Sequence, residues 1–183
     1  MANYVYIATS LDGFIATSDG GLDWLYKVPN IDDSDYGYAE FMSGIDAVVM
    51  GRKTFEKVQT FDSWPYSQTV FVLSNSLESV PEALEDSAEV VKGELKKLVA
   101  DLGARGHSNL YIDGGSTIQS FLRKDLIDEL IITRVPVLLG SGIPLFGNLE
   151  SSLEFDHKRT EILSSALVQS HYVRHKPEQP LLP

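Results

Sequence analysis

Short runs of branched and aromatic residues alternate with polar, glycine-rich stretches along the whole chain. Residues 4–8 form the first run, and Thr9-Ser10-Leu11-Asp12-Gly13 then turns the chain, Asp-Gly being a standard turn pair. Similar runs at 47–50, 69–73, 110–113 and 130–135 predict buried strands. Residues 95, 98, 99 and 102 are apolar, and that spacing predicts an amphipathic helix over 94–103. Short helices are predicted at 39–43 and 54–58, the second with Thr54 as its N-cap. Ser116-Thr117-Ile118-Gln119 reads as a capping box that opens a helix running to about residue 124. Residues 155–163 and 166–174 predict two strands meeting at Ser164-Ser165.

Strands alternating with helices predict an α/β layer fold on a largely parallel sheet, with the late hairpin adding antiparallel strands at one edge. One domain is expected over 1–175. Residues 176–183 read as a tail, because their prolines cannot continue a central strand. Two long loops punctuate the pattern. Residues 17–37 are rich in Gly, Asp, Ser, Pro and Asn, and loops of that length are often functional. Residues 136–146 are apolar and broken by Gly and Pro, which suits either a dimer contact or a buried crossover.

The 183 residues carry 15 Lys plus Arg against 26 Asp plus Glu, a formal net charge of −11. That surface repels phosphate backbones and anionic membranes, so neither nucleic acid nor membrane is an expected partner. There is no cysteine, which excludes disulfides, thiolate catalysis and zinc fingers. The N-terminus lacks a basic, apolar leader and no apolar stretch approaches ~18 residues, so a soluble cytoplasmic protein is expected. The four histidines are dispersed, and no metal site is expected.

The candidate chemistry lies where strands end. One run ends in Gly51-Arg52-Lys53-Thr54, a second in Ser74-Asn75-Ser76 and a third in Gly114-Gly115-Ser116-Thr117. Open α/β sheets bind ligands beyond the carboxyl ends of their strands. Glycines there let a ligand approach the backbone, and helix N-termini favour phosphate. The three segments together suggest a dinucleotide. Neither a Rossmann nor a P-loop glycine motif is present. Each segment alone also reads as an ordinary turn or cap.

In these residues the chain resembles the dihydrofolate reductase-like superfamily. Within it, the chain is similar to the group containing the C-terminal reductase domain of riboflavin-biosynthesis deaminase–reductase proteins. The resemblance runs through the segments 4–16, 49–56, 72–75, 111–117, 128–133 and 136–146. It implies a three-layer dihydrofolate reductase-like fold: a mixed, mostly parallel central sheet, helices on both faces and a C-terminal antiparallel hairpin. It also implies NADPH. Gly51, Arg52, Lys53 and Thr54 would hold adenosine-side phosphates, and Leu73, Ser74 and Asn75 would line the adenine–ribose side. Gly114 and Gly115 would carry a cis peptide beside the pyrophosphate, followed by Ser116, Thr117 and Ile118. Ala8, Ile15 and Ala16 would contact the nicotinamide, while Trp24, Phe41 and Thr133 would face the substrate. A homodimer is expected by the same resemblance.

Folate reductases place an acid on the helix before the Val-Met-Gly strand. Asp32, Asp33, Asp35 and Glu40 lie nearby here, and Asp35 fits best by spacing. Asp12 is the alternative acid, against its plain reading as a turn residue. The expected function is an NADPH-dependent reductase that transfers hydride to a C=N or C=O group of a small pterin- or pyrimidine-like molecule. Dihydrofolate and 5-amino-6-(5-phosphoribosylamino)uracil reductases are the patterns. The alternatives are a dinucleotide-binding module without turnover and a purely structural or interaction domain.

Overall fold

Successive residues of the strand Ala47–Gly51 point to opposite faces of a sheet, and four of the five are fully buried. Ala47 and Val49 join Phe71, Leu102, Leu110 and Ile118 in one core cluster, while Val48 and Met50 join Met42, Phe55, Val70 and Tyr111 in another. A strand buried on both faces needs a layer on each side. The three-layer architecture follows from that requirement.

The structure is a computed structural model and describes residues 1–30, 33–163 and 166–176. Among these residues ten strands occur: β1 (Ala2–Thr9), β2 (Phe14–Ala16), β3 (Ala47–Gly51), β4 (Thr69–Leu73), β5 (Ala88–Val91), β6 (Asn109–Asp113), β7 (Glu129–Arg134), β8 (Ile143–Pro144), β9 (Phe155–Leu163) and β10 (Leu167–Arg174). Eight form one sheet of order β5-β4-β3-β6-β1-β7-β10-β9. The six from β5 to β7 are parallel, and β10 and β9 close that edge antiparallel. Helices α1 (Tyr38–Ser43) and α2 (Arg52–Val58) send Met42, Phe55 and Val58 into one core cluster. Helices α3 (Leu95–Ala104) and α4 (Gly115–Arg123) send Leu98, Leu102, Ile118 and Phe121 into the other. The predicted fold is the observed one.

Several local expectations need correction. Thr54 does not cap α2, which opens two residues earlier with Gly51 at its N-cap. The predicted capping box is absent as well. α4 opens at Gly115, after Gly114 has turned the chain at φ 86°. Gln119 instead donates to the Pro144 carbonyl at 2.8 Å. Two strands escaped the pattern because they are short: β2 and β8 pair only with each other. β5 escaped because it is an edge strand with a charged residue, Glu89, in its middle. The predicted turn Ser164-Ser165, Asp32 and the tail from 177 onward lie outside the described residues.

The 136–146 segment carries the chain from β7 into β8 and is exposed over most of its length. Val137 and Leu139 pack against the cluster of Trp24, Val135 and Leu167, and Leu145 is fully buried. Leu138 and Phe146 remain 71% and 51% exposed. Among the described residues, no helix is long and apolar enough to cross a membrane.

Candidate functional site

β1, β3 and β6 run parallel and side by side, so their carboxyl ends share one edge of the sheet. The chain leaves β3 directly into α2 and β6 directly into α4. Both junctions open on one cleft of about 910 Å³. From the first come Gly51, Arg52, Lys53 and Thr54, and from the second Gly114, Gly115, Ser116 and Thr117. Ala8, Ile15, Ala16 and Leu73 complete the predicted cofactor set on the same wall. Leu73 also borders a smaller niche, about 380 Å³, which takes Ser74 and Asn75. Ile118 is the exception. It is fully buried in the core, and its amide is held by the Gly114 carbonyl at 2.9 Å.

The two junctions are locked together. A Cβ added to Gly114 would lie 2.2 Å from Thr54 Oγ1, and one added to Gly51 would lie 2.9 Å from Thr117 Oγ1. A side chain at either position would have to displace the facing threonine, and at Gly114 the positive φ favours glycine as well. Among the described residues there is no cis peptide, so the Gly114–Gly115 bond is trans, contrary to expectation. The left-handed φ of Gly114 makes the strand-to-helix turn without isomerisation.

The residues expected to handle substrate lie elsewhere. Asp12 sits in its turn, where it accepts Ser10 Oγ at 2.6 Å and the amides of Leu139 and Gly140 at 3.1 and 2.7 Å. These donors, Ser10 first, hold its carboxyl below the usual range. Asp35 accepts the Ala39 and Gly37 amides at 2.8 and 2.9 Å at the start of α1, and they lower its carboxyl likewise. Thr133 is buried and accepts Gln169 Nε2 at 3.0 Å. Gln169 also donates to Tyr6 Oη at 3.0 Å. Trp24 is buried with Val135 and Leu167. Phe41 stacks on Tyr6 at 4.7 Å and meets Tyr111 edge-on at 5.2 Å. It therefore backs two aromatic rings that line the cleft rather than lining it itself.

In their place the cleft holds residues that the sequence reading missed: Tyr6, Lys57, Phe61, Tyr66, Tyr111 and Asp113. Asp113 is the last residue of β6. It accepts the Gly114 amide at 2.7 Å and, at a long 3.4 Å, the Tyr66 hydroxyl. Burial pushes its carboxyl up, against the opposing pull of these donors. Burial likewise raises Tyr66 and Tyr111, and it pushes Tyr38 to about 12. Asp113 was signalled by its place at a strand end before two glycines. Tyr66 carried no local signal, because the connection from α2 to β4 brings it in.

Known proteins share the family and the fold of this chain. The model of the RibD C-terminal domain matches residues 4–168. The uncharacterized protein YwjB of Bacillus subtilis is 39% identical over 174 residues, 93% of this chain and 96% of its own. A protein of Shewanella sp. PV-4, provisionally named for riboflavin biosynthesis, has a crystal structure that superposes with a TM-score of 0.94. It is 54% identical, with 96% of this chain and 100% of that one covered. Dihydrofolate reductase of Enterococcus faecalis, in complex with NADP(H), shares the fold at a TM-score of 0.65 and 17% identity. That match covers 96% and 97% of the two chains. The chain belongs to the RibD C-terminal domain family and has a dihydrofolate reductase-like fold.

Proposed function

We propose that this chain is an NADPH-dependent reductase acting on a C=N or C=O group of a small planar, pterin- or pyrimidine-like molecule. The observation that carries the reading is the closure of the β3–α2 and β6–α4 junctions on one cleft, glycine against threonine in both directions. The family and the NADP(H)-bound relative of the same fold support it. NADPH, when bound, supplies the hydride.

The residues present fit such a cofactor. Gly51, Gly114 and Gly115 line the cleft with bare backbone, and their missing side chains let Thr117, Thr54 and Ile15 close in beside them. The first-turn amides of α4 have no intrahelical partner, and they carry the positive end of the helix dipole. Arg52 and Lys53 add cationic side chains on the same wall of a strongly acidic protein. Ile7, Ala8 and Ile15 offer an apolar end for an uncharged ring. Tyr6, Phe61 and Tyr111 give a flat substrate aromatic surfaces to lie against.

Asp113 takes the role first sought at Asp12 and Asp35. Burial raises its carboxyl, and in its protonated form that carboxyl can donate a hydrogen bond or a proton to a substrate nitrogen or oxygen. Tyr66 orients it through their shared hydrogen bond.

The test is titration of the purified protein with NADPH and NADH, followed by fluorescence of Trp24 and Trp64. A pterin and aminopyrimidine panel then assays NADPH oxidation. Saturable NADPH binding with turnover on any panel member supports the reductase. Binding without turnover across the panel favours a dinucleotide-binding module, and no binding of either dinucleotide removes the proposal.

A further inference from the structure

The cleft changes character from one side to the other. Glycine backbone, hydroxyls and cations gather at the two strand–helix junctions. The opposite side is built from Tyr6, Tyr66, Tyr111, Phe61, Val58 and Leu25. Whatever accepts the hydride must be recognised there.

The three phenols on that side turn their hydroxyls into the protein. Tyr6 Oη donates to the Tyr36 carbonyl at 2.5 Å and accepts Gln169 Nε2 at 3.0 Å. Tyr111 Oη donates to the Tyr6 carbonyl at 3.0 Å. Tyr66 Oη donates to Asp113 at 3.4 Å. Burial opposes ionisation of Tyr66 and Tyr111, so this wall is neutral. A ligand meets the faces and edges of rings here rather than free hydroxyls.

Cations are equally scarce on that side. All 15 lysines and arginines fall among the described residues, and three line the cleft: Arg52, Lys53 and Lys57. All three stand on α2. Arg52 is paired with Glu56 at 2.7 Å. Lys53 lies beside it at the β3 junction, on the wall that would take the pyrophosphate. Lys57 follows one turn later on the same helix face. It is a single exposed ammonium in a cleft that also holds the carboxyls of Asp19 and Asp113. A phosphate is held tightly by several charge-assisted donors together, and one ammonium does not supply them.

Phe61 is 48% exposed and lines the rim of the cleft. Leu22 and Leu25 line it from the 17–37 loop. A substituent leaving the ring past these residues meets apolar side chains.

We propose that the substrate is a flat ring whose substituents carry no phosphate, and that its arm leaves the cleft past Phe61. The proposal rests on the reductase reading above and separates its two substrate patterns. A plain dihydropterin-like ring is accepted, and a phosphoribosylated aminopyrimidine is rejected. The C=N carbon gains the hydride and its nitrogen a proton, with NADPH oxidised to NADP+. Neutral aromatic surfaces hold the ring, and Asp113 gives it a polar contact.

The experiment uses the intact protein, NADPH and two pairs of compounds that differ only in a phosphate. One pair is 5-amino-6-(5-phosphoribosylamino)uracil and its phosphatase product. The other is 7,8-dihydroneopterin and its monophosphate. Fluorescence reads binding, and NADPH oxidation reads turnover. In each pair that binds, the unphosphorylated member should bind and turn over better by about tenfold or more, the cost of a charged group left without its partners. Phe61→Arg places a guanidinium at the rim, and should narrow that gap by improving the phosphorylated member. Phe61 is half-exposed, so the variant is expected to fold, and its thermal midpoint checks this. Equal handling of both members by the intact protein, or preference for the phosphorylated one, overturns the proposal and leaves the dinucleotide cleft in place. NADPH binding with no binding of any of the four compounds overturns it as well. A gap unmoved in Phe61→Arg overturns the exit past Phe61. An intact protein that does not bind NADPH removes the cofactor reading beneath the proposal.

Discussion

The Asp12 carboxylate receives the Gly140 amide at 2.7 Å, joining residues 128 apart in sequence. The same carboxylate takes the Leu139 amide, and the Leu145 amide returns to the Gly13 carbonyl at 3.0 Å. A tight turn after β1 thus holds the crossover that carries β8. Ile143 of β8 reaches the cleft wall beside Gly115. Asp12 accordingly acts on the cleft at a distance, by placing one of its walls.

The first prediction concerns that clamp. Asp12→Ala should raise amide hydrogen exchange across 139–145 while leaving β3 and β6 protected, because local opening tracks local contacts. The ionised carboxylate makes the clamp, and its donors hold it below the usual range. Its contribution is therefore complete at neutral pH and is lost as pH falls through the lowered value. Exchange measured at neutral and acid pH, with Asp12→Asn for comparison, checks both the site and the sign. Uniform exchange changes throughout the chain would refute a local clamp.

Gly114 is the tightest point of the site. Gly114→Ala would put a Cβ 2.2 Å from Thr54 Oγ1, on a backbone with φ 86°. The strained φ alone costs about 1–3 kcal/mol. The clash adds to it unless Thr54 withdraws from the cleft. The variant should unfold at lower denaturant and lose dinucleotide binding, and Thr54→Ser should recover little because the colliding atom is the hydroxyl oxygen. Chemical denaturation of the three proteins measures this.

How much of this was readable in advance depends on the range of each interaction. The strands of β3, β4 and β6 were legible because their continuous apolar runs are the signature of two-sided burial. The junctions were legible because glycine, hydroxyl and basic residues cluster within four positions of a strand end. β2 and β8 were not, since two or three residues carry no period. Asp12 was read as a candidate acid or a turn residue. Its partners Leu139 and Gly140 lie at the far end of the chain, and only the folded crossover shows what the carboxylate does. Tyr66 and Asp113 likewise come from different segments, separated by 47 residues.

Arg52 and Lys53 offer a second test of the cleft. Both line it with Thr54, while Arg52 spends part of its charge on Glu56. The double variant Arg52→Ala plus Lys53→Ala should weaken NADPH binding about tenfold or more, the worth of one or two charge-assisted contacts. Both dinucleotides carry the pyrophosphate, so NADH should weaken with it. Titrations at two salt concentrations would show a shallower salt dependence in the double variant.

Asp113 makes the sharpest contrast between stability and activity. Burial raises its folded carboxyl above the unfolded value. In the window between those two values the folded state binds more protons, so stability falls as pH rises through it. Above that window the ionised group is a constant penalty. Asp113→Asn keeps the shape and cannot ionise, so its thermal midpoint should increasingly exceed that of the intact protein as pH rises above the ordinary carboxylate range. The gain should fade as pH drops below the ordinary carboxylate range, where Asp113 is protonated in both states. The same change removes the proton that we assign to substrate. Turnover should fall about 100-fold, the low end of a general acid's contribution, while NADPH binding stays near its original level. A variant that is more stable, binds cofactor and does not turn over identifies Asp113 as a group kept in the cleft for chemistry rather than for folding. Turnover undiminished in Asp113→Asn would place the proton source elsewhere.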